Sequence, residues 1–238
     1  MRVPLLLAVL AAAPVWQAAS PPDLHVVVRA EFVYMSNTRV TSTEGWASQG
    51  KTMMRQGDRL VITREDLGVA WRASVKEGTY TERPLPPAGT PAAPPPPAKA
   101  AVDMGTAGFE WEPAYDWSVK ATGQTSAVAG RACREFAAAG DADYAEARAS
   151  FWACEPLPGV GRSPNDAVVA ALYSPSTRRM ILDTLAKEGG AWVLAAEEQQ
   201  EPAIAPTIVM RVRVETLEAG AAPPGTFDLP PSFKKAGR

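Results

Sequence analysis

The stretch 45–83 constrains the fold of this chain more than any other part of the sequence. It holds four short extended runs, at 46–55, 60–63, 69–75 and 79–83. The first alternates loosely, the second is a compact β-branched run, and the third places Val69, Trp71, Ala73 and Val75 on one face. Turn-forming residues, among them glycine and aspartate, separate each run from the next. Alternation with period two, broken by such turns, is typical of an antiparallel meander with one buried face. The stretch therefore predicts a β-sheet scaffold, and it shows no pattern associated with bond-breaking chemistry.

Length and charge narrow the possible classes of protein. The chain has 238 residues, which is enough for one domain with a sizeable core. Its 24 basic and 26 acidic residues give a formal net charge of −2. Nucleic-acid-binding domains carry a basic stripe or a marked excess of lysine and arginine, and this sequence has neither. We therefore expect no nucleic-acid partner.

The N-terminus is typical of a secretory signal peptide. One arginine, Arg2, precedes an apolar run over 3–15, and small residues follow up to Ser20. The run is too short to remain as a membrane-spanning helix, and no later segment has the length and hydropathy of one. We expect cleavage after Ala19, which makes residues 1–19 the signal peptide. The residue directly after that site is Ser20 and not a cysteine. We therefore predict a periplasmic protein without a lipid anchor, and an extracellular location stays open.

The chain has two cysteines, Cys133 and Cys154. In an oxidising compartment an isolated pair is most simply a disulfide, and closing a loop of about twenty residues would stabilise the fold by roughly 3 kcal/mol. A redox-active or metal-binding pair is the alternative. That role requires C-x-x-C spacing or neighbouring histidine ligands, and the single histidine is His25. We expect a structural disulfide, with no metal and no cofactor.

Strand patterns also precede the meander. Residues 23–35 alternate as a first strand, which places His25 on its polar face as a surface residue. Residues 36–44 are predicted to be a polar connection. Arg59 and Arg64 bracket the second run of the meander. Solvated strand ends are the simpler interpretation of these arginines, and contact with a ligand carboxylate or phosphate is the other.

The middle of the chain begins with a low-complexity segment. Residues 85–101 are rich in proline and alanine, and we expect a flexible, exposed loop there. Aromatic residues then cluster over 108–122, where 117–122 is predicted to be a strand. Beyond it the sequence favours a hairpin over 126–154, although its alanine-rich part, 136–148, is also compatible with a helix. The sequence leaves that choice open.

A helical region follows. Ser163-Pro164 is a helix start signal, because serine can cap a helix and proline suits its first position. We predict helical segments at 167–173 and 177–187, which would bury one apolar stripe. The stripe consists of Val168, Leu172, Met180, Ile181 and Leu185.

The last part of the chain returns to strands, which we predict at 191–197 and 207–217. A tail over 223–233 follows them. We expect it to pack extended on the sheet rim through three anchors, Phe227, Leu229 and Phe233. Residues 20–238 are thus predicted to form a single, mainly β (α+β) domain, in which a helix packs on a curved antiparallel sheet.

Four short motifs in this order resemble the secreted DUF4412-type proteins. They are Gly-Asp-Arg-Leu-Val-Ile at 57–62, Gly-Thr-Tyr-Thr-Glu at 78–82, Ala-Gly-Arg-Ala-Cys-Arg-Glu-Phe at 129–136 and Thr-Phe-Asp-Leu-Pro-Pro-Ser-Phe at 226–233. These proteins are similar to the wider group of LolA/LolB-like lipoprotein-carrier folds. The resemblance implies a half-barrel, with a helix on its concave face and an apolar cavity between them. The chain departs from the carriers in its proline-rich insert and in lacking their long opening helix.

The resemblance, the expected export and the many tryptophans and methionines together predict a non-catalytic periplasmic protein. It would bind a lipid or a lipidated partner in that apolar cavity. The candidate lining residues are Trp46, Met54, Trp71, Trp117, Leu172, Met180 and Ile181.

Two other functions are weighed against this hypothesis. One is a protein-interaction or sensor module of the cell envelope with no small-molecule ligand, for which an open sheet edge and a proline-rich segment are suited. A cavity filled by the protein's own side chains would favour that module. The other is an enzyme, which we do not predict, because a nucleophile needs a base within reach and the only histidine is expected at the surface.

Overall fold

The computed structural model describes residues 22–86 and 115–236 of the chain. The predicted signal peptide lies outside these ranges, as do Phe109, Trp111 and all but the first two residues of the predicted loop 85–101. Within them, neither helix combines the length and hydropathy that crossing a membrane requires.

The described residues form one sheet and two helices. The first six strands are β1 (Asp23–Tyr34), β2 (Asn37–Ser48), β3 (Lys51–Gln56), β4 (Arg59–Arg64), β5 (Val69–Ser74) and β6 (Thr79–Pro84). The other six are β7 (Asp116–Val128), β8 (Arg131–Ala142), β9 (Ala145–Cys154), β10 (Trp192–Pro202), β11 (Ile208–Gly220) and β12 (Lys234–Lys235). Helices α1 (Asn165–Ala170) and α2 (Pro175–Lys187) lie between β9 and β10 in the chain. The order across the sheet is β12-β6-β5-β4-β3-β2-β1-β11-β10-β9-β8-β7.

The sheet is antiparallel except where β12 runs parallel to β6. It is strongly curved, because part of the edge strand β7 lies within 8 Å, measured between Cα atoms, of β11 four strands away. In a flat sheet four strand spacings would separate them by about 19 Å. Both helices pack on β9 to β11. The predicted fold class is therefore confirmed: a mainly β chain with a curved antiparallel sheet and a helix packed on it.

We call the face of the sheet that packs on the helices the inner face, and the opposite face the outer face. On β1 the alternate residues Leu24, Val26 and Val28 are inner residues, buried in the same core as the helices. Phe136 of β8 and Phe151 of β9 pair directly on this face, with ring centroids 5.3 Å apart. Residues that pair across neighbouring strands share a face, so the register assigns both faces of the whole sheet.

A C-terminal segment lies across the other side of the sheet. Residues 221–233, which we call the strap, start at β11, where the Asp23 carboxylate accepts a hydrogen bond from the Ala222 amide at 2.8 Å. They end where β12 pairs with β6. On the way Asp228 accepts a hydrogen bond from Arg64 of β4 at 2.6 Å. Because the Arg64 side chain lies on the outer face, we infer that the strap crosses the outer face of β2 to β5. It contains turns and forms no strand before Lys234, so it is not extended throughout as predicted.

Two predictions in the first third of the chain are wrong. Residues 36–44 are not a connection, because β2 begins at Asn37 and pairs with β1 along its length. Their side chains are largely solvent-exposed, so no apolar alternation marks them as a strand. The predicted run 46–55 is two strands, β2 and β3, joined by a tight turn. Gly50 adopts φ +68° in this turn, a left-handed conformation that favours glycine.

The alanine-rich part of the chain forms strands. Residues 136–148 belong to β8 and β9, so the hairpin is confirmed and the helix alternative is wrong. Its alanines on the inner face, such as Ala138 and Ala149, are buried, and their small side chains let the helices approach the sheet. The predicted start of the hairpin at residue 126 is five residues too early, because β7 extends to Val128 and β8 begins at Arg131.

The two cysteines form the predicted disulfide. Cys133 of β8 pairs directly with Cys154 of β9, and their Cα atoms are 4.1 Å apart. Trp192 of β10 pairs with Cys154 on the other side and is buried in the same core. The bond therefore fastens the open end of the β8–β9 hairpin inside the core.

Helix α2 has the serine cap that the sequence led us to expect elsewhere. The Ser174 hydroxyl accepts hydrogen bonds from the amides of Ser176 and Thr177 at 3.1 and 3.4 Å. The start signal at Ser163-Pro164 is misplaced by one residue, because Pro164 takes the cap position of α1 without a side-chain bond. The predicted apolar stripe is confirmed, since all five of its residues are buried.

Candidate functional site

Four of the seven predicted cavity residues meet between the helices and the inner face. Leu172, Met180 and Ile181 are buried in the core, and Ile181 has no exposed surface. Trp117 of β7 packs at the border of this core. Its indole Nε1 donates a hydrogen bond to the hydroxyl of Ser176, in α2, at 2.9 Å. Around these four residues, the space between sheet and helix is filled by the protein's own side chains.

Two further predicted cavity residues, both tryptophans, lie on the outer face. They belong to a row of directly paired residues on β1 to β5, namely His25, Trp46, Met53, Ile62 and Trp71. Ile62, near the centre of the row, is only 1% exposed. The strap crosses this face and its apolar anchors are half-buried, so we attribute the burial of Ile62 to it. The structure therefore separates the two tryptophans from the helix side.

Two residues predicted to be solvated are held by partners. The His25 ring stacks on Trp46 with centroids 4.4 Å apart and lies 3.3 Å from a Glu44 carboxylate oxygen. Arg64 donates to both carboxylate oxygens of Asp66 at 2.8 Å and also reaches the strap. This pairing raises the pKa of Arg64 and lowers that of Asp66, chiefly through their shared hydrogen bonds. Arg64 therefore connects the strap to the outer face, whereas His25 contacts only neighbouring strands.

The inner face of β2 to β6 lies beyond the helices, and we call its inward-pointing residues the open inner face. One row of directly paired residues crosses it from the core, namely Val26, Gly45, Met54, Val61 and Arg72. Exposure rises along the row. Val26 and Gly45 are buried, Met54 is half-buried, Val61 is 38% exposed and Arg72 is exposed. The seventh predicted cavity residue, Met54, thus lies on an apolar track that leads from the core to solvent.

Three exposed arginines stand at the solvent end of this track. Arg72 pairs with Val61, Arg59 lies two residues before Val61 on β4, and Arg83 is on β6. None of the three has a hydrogen bond or ion pair with a carboxylate among the described residues, unlike Arg64 and the other paired arginines. The open inner face itself contains no aspartate or glutamate. Its remaining residues include the threonines Thr41, Thr43, Thr52, Thr63 and Thr81.

A buried carboxylate joins the helices to the sheet. Glu198 of β10 is 1% exposed and faces the start of α2. One of its oxygens accepts hydrogen bonds from the Thr177 hydroxyl at 2.6 Å and the Gln200 amide at 2.7 Å. The other accepts from the backbone amides of Tyr173 and Ser174 at 3.0 and 3.2 Å. The arrangement satisfies amides at the helix N-terminus and is favoured by the helix dipole.

Burial dominates the electrostatics of this cluster. Removal from water raises the pKa of Glu198, and the hydrogen bonds it accepts only partly offset the shift. Burial also raises the pKa of the Tyr115 hydroxyl, and the nearby Glu198 charge adds to that effect. Within the described ranges, the Tyr115 hydroxyl and the Gln200 side-chain oxygen are buried without a hydrogen-bond partner. We interpret the cluster as a structural link, because it is enclosed between helix and sheet.

A separate cleft lies near the disulfide, at the ends of β7 to β9. Its volume is about 850 Å³, and its wall includes Thr125, Cys133, Cys154 and the ion pair between Arg134 and Glu188. The disulfide leaves no thiol there for nucleophilic or redox chemistry. Nowhere in the described parts of the chain do three or more His, Cys, Asp or Glu side chains come together as a metal site would require.

Sequence reasoning missed two parts of these sites. It did not single out Glu198 or Gln200, because a Glu-Glu-Gln-Gln run at a strand end is typical of a solvated edge. It noted Arg59 but not Arg72 or Arg83. Writing the meander strands in register would have aligned the three arginines on one face, so a signal for them was present in the alternation.

Comparisons with known proteins give only distant similarities. No family model matches the chain, and no curated protein matches it. Solved structures that it resembles include PNGF-II, at 8% identity and a TM-score of 0.36, over 89% of this chain and 30% of that one. A LolA superfamily protein from Nitrosomonas europaea, at 7% identity and a TM-score of 0.29, is covered over 90% of its length and 87% of this chain. A DUF1329 family protein from Desulfovibrio piger gives 9% identity and a TM-score of 0.30, over 88% of this chain and 90% of that one.

These values are too low to carry an argument about function. The chain spans 30% of the length of PNGF-II. Membership of the DUF4412 type, or of the LolA/LolB-like group, remains a prediction. What the protein does must therefore be argued from its own surface.

Proposed function

We propose that the protein is an exported, non-catalytic binding protein that holds a lipid, or the acyl chain of a lipidated partner, on the open inner face. The observation that carries this proposal is the apolar track from Gly45 through Met54 to Val61, which continues the core outward to solvent. Apolar surface in such a row favours an elongated apolar ligand, because burial stabilises by about 25 cal/mol per Å². The disulfide agrees with export to an oxidising compartment such as the periplasm.

The position of this site differs from the one the sequence suggested. Leu172, Met180 and Ile181 are buried in the core between sheet and helix, so we do not include them in the lining of the proposed site. The segment between β9 and α1 is connected to the meander by an ion pair of 3.2 Å between Arg162 and Glu65, in the β4–β5 turn.

Mature protein purified from the periplasm of an expressing bacterium should carry an adduct of acyl-lipid mass in gentle native mass spectrometry. Organic extraction should remove it, and the uncharged amphiphile monododecanoylglycerol should restore it. Val61→Gln should weaken this rebinding about tenfold, because a polar group would then interrupt the track. Val40→Gln is the matched control, since Val40 is an exposed valine on the outer face of β2. No adduct and no rebinding, or equal loss in both variants, would refute the proposal.

The alternative is a protein-interaction module with no small-molecule ligand. Two observations favour it. The space between the helices and the sheet is filled by the protein's own side chains, and β7 forms an edge of the sheet whose residues from Lys120 to Ala127 are all exposed. An edge of this kind can accept a strand from another protein. The irregular pairing between Ala121 and Thr125, where Gly123 adopts φ +79°, interrupts the edge and shortens any such strand. We therefore place this candidate second.

A further inference from the structure

The solvent end of the apolar track is organised around three positive charges. Arg72 lies at the end of the track on β5. Arg59 on β4 and Arg83 on β6 are each diagonal neighbours of Arg72 on the same face, in opposite directions along the strands. Diagonal neighbours in a sheet have Cα atoms about 7–8 Å apart, which long side chains bridge easily. The three guanidinium groups can therefore converge on a single small group bound above Arg72.

Among the residues that the structure describes, no carboxylate supplies a counter-charge on this face. The acidic residues closest in sequence, such as Asp58, Glu65 and Glu77, lie in the turns at the strand ends and not on the open inner face. Glu82 of β6 points to the outer face, where it accepts a hydrogen bond from Trp71 at 3.1 Å. Three like charges at diagonal spacing repel one another, and a bound anion would relieve that repulsion.

The arginines and the apolar track are adjacent parts of one surface. Val61 pairs directly with Arg72, and Met54 pairs directly with Val61 on its other side. From Gly45 to Arg72 the row crosses three strand spacings, or about 14 Å. A ligand that covers the row must present an apolar part toward Gly45 and a polar part toward Arg72. Guanidinium groups bind carboxylate and phosphate oxygens through paired hydrogen bonds, so an anionic polar part is the best match.

We propose that the open inner face selects amphiphiles with an anionic head group. The head group, a carboxylate or a phosphate, binds among Arg59, Arg72 and Arg83, and the chain lies along Val61 and Met54 toward the core. This inference rests on the proposed function and extends it from lipid binding in general to one chemical class of lipid. The uncharged threonines of the open inner face then border the site without repelling the anion.

Binding of three probes with the same chain length tests the inference. Dodecanoate and monododecyl phosphate carry the two anionic head groups, and monododecanoylglycerol is uncharged. With delipidated protein and submicellar probe, titration calorimetry should show dodecanoate or monododecyl phosphate binding at least about tenfold more tightly than monododecanoylglycerol. Whichever of the two anions binds more tightly identifies the head group. Raising the ionic strength from about 0.05 to about 0.5 M should weaken the anionic probes and leave the uncharged one unchanged.

A matched pair of triple variants separates the site from the net charge of the protein. Arg59→Gln, Arg72→Gln and Arg83→Gln together should bring all three probes to the affinity of the uncharged one. The control removes three exposed arginines of the outer face that likewise have no ion pair among the described residues, Arg55, Arg148 and Arg213, each changed to glutamine. It should behave as the unmodified protein. All six positions are exposed, so circular dichroism is expected to show both variants folded.

The possible outcomes divide clearly. Equal affinity of the unmodified protein for charged and uncharged probes would overturn the inference and leave the proposed function standing. The inference would also be overturned, and the proposed function left standing, if the variant of Arg59, Arg72 and Arg83 kept the preference for anions. Loss of that preference in the control variant of Arg55, Arg148 and Arg213 would have the same meaning. If no probe binds the delipidated protein at all, the proposed function fails, and the inference fails with it.

Discussion

In the half of the sheet made of β1 and β7 to β11, the most deeply buried side chains point inward, toward the helices, whereas in β4 and β5 they point outward, toward the strap. Val28 and Phe151 represent the first half, at 1% and 0% exposure, and Ile62 represents the second, at 1%. Val61, the neighbour of Ile62, points inward and is among the exposed apolar residues of the chain. One continuous sheet thus changes its buried face along its width. The open inner face therefore exists because the element that covers this half of the sheet, the strap, lies on the outer face.

Core truncation should separate the two halves most strongly. Phe151→Ala removes a ring that is fully buried and stacked on Phe136, and we expect it to lower the free energy of unfolding by about 3–5 kcal/mol. Ile62→Ala should cost about 2–3 kcal/mol, because the single layer of strap above it can collapse into the space. Urea unfolding of both variants, with the disulfide intact, measures the difference. A negligible cost for Ile62→Ala would mean that the strap does not cover the outer face.

The buried carboxylate of Glu198, in the helix-covered half, makes the free energy of unfolding depend on pH. Because burial raises the folded-state pKa of Glu198 above the unfolded value of about 4.3, the folded state binds its proton more tightly. Stability from this group is therefore fully present below about pH 4.3 and decreases as pH rises through the interval up to the raised pKa. Glu198→Gln should remove that slope and should also destabilise the fold by about 1–3 kcal/mol, since an amide cannot accept all four hydrogen bonds.

Urea unfolding of both proteins at about pH 4 and about pH 7 tests this expectation. The lower pH lies below the unfolded-state pKa of Glu198, and the higher pH was chosen because the folded-state pKa is shifted upward. The stability advantage of the unmodified protein over Glu198→Gln should be larger at the acidic pH. An advantage that grows with pH would show instead that the hydrogen bonds to the ionised carboxylate outweigh its burial. The three arginine positions of the open inner face should not alter this difference, because they lie in the other half.

The smallest expected effect concerns the attachment of the strap. Arg64→Ala removes the ion pairs to Asp66 and Asp228, and exposed partners make such pairs worth about 0.2–1 kcal/mol. Amide hydrogen exchange over 221–233 should nevertheless become faster, while α2 keeps its protection. The matched control is Arg211→Ala. Arg211 has a similar pair of carboxylate partners on the outer face, Glu197 and Glu31, but does not touch the strap. Faster exchange in the control as well would contradict a specific role for Arg64.

Strand patterns and cysteine spacing were sufficient for much of the fold. Alternation in β1, β5 and β11 is strong because each has a buried face, and the apolar stripe of the helices was found for the same reason. The pair Cys133 and Cys154 required only an oxidising compartment and an approximate hairpin. Alternation did not predict β2, because the first half of that strand is exposed on both faces. It also predicted β10 too short, because the C-terminal half of that strand carries buried polar residues. In both strands, pairing with a neighbour fixes the structure without an apolar signal of its own.

The sequence by itself determined that this chain is a mainly β protein with a disulfide and one buried helical stripe, because those properties depend on local period and residue type. It also determined which side chains share a face of each strand. Only the tertiary structure decided which face of each strand is covered. Ile62 is buried and Val61 is exposed because the strap, residues 221–233, packs on the outer face and not on the inner face. The same position of the strap leaves Arg59, Arg72 and Arg83, on the inner face, exposed to solvent beside the apolar track. The candidate binding surface is therefore a consequence of long-range packing, which local alternation cannot encode.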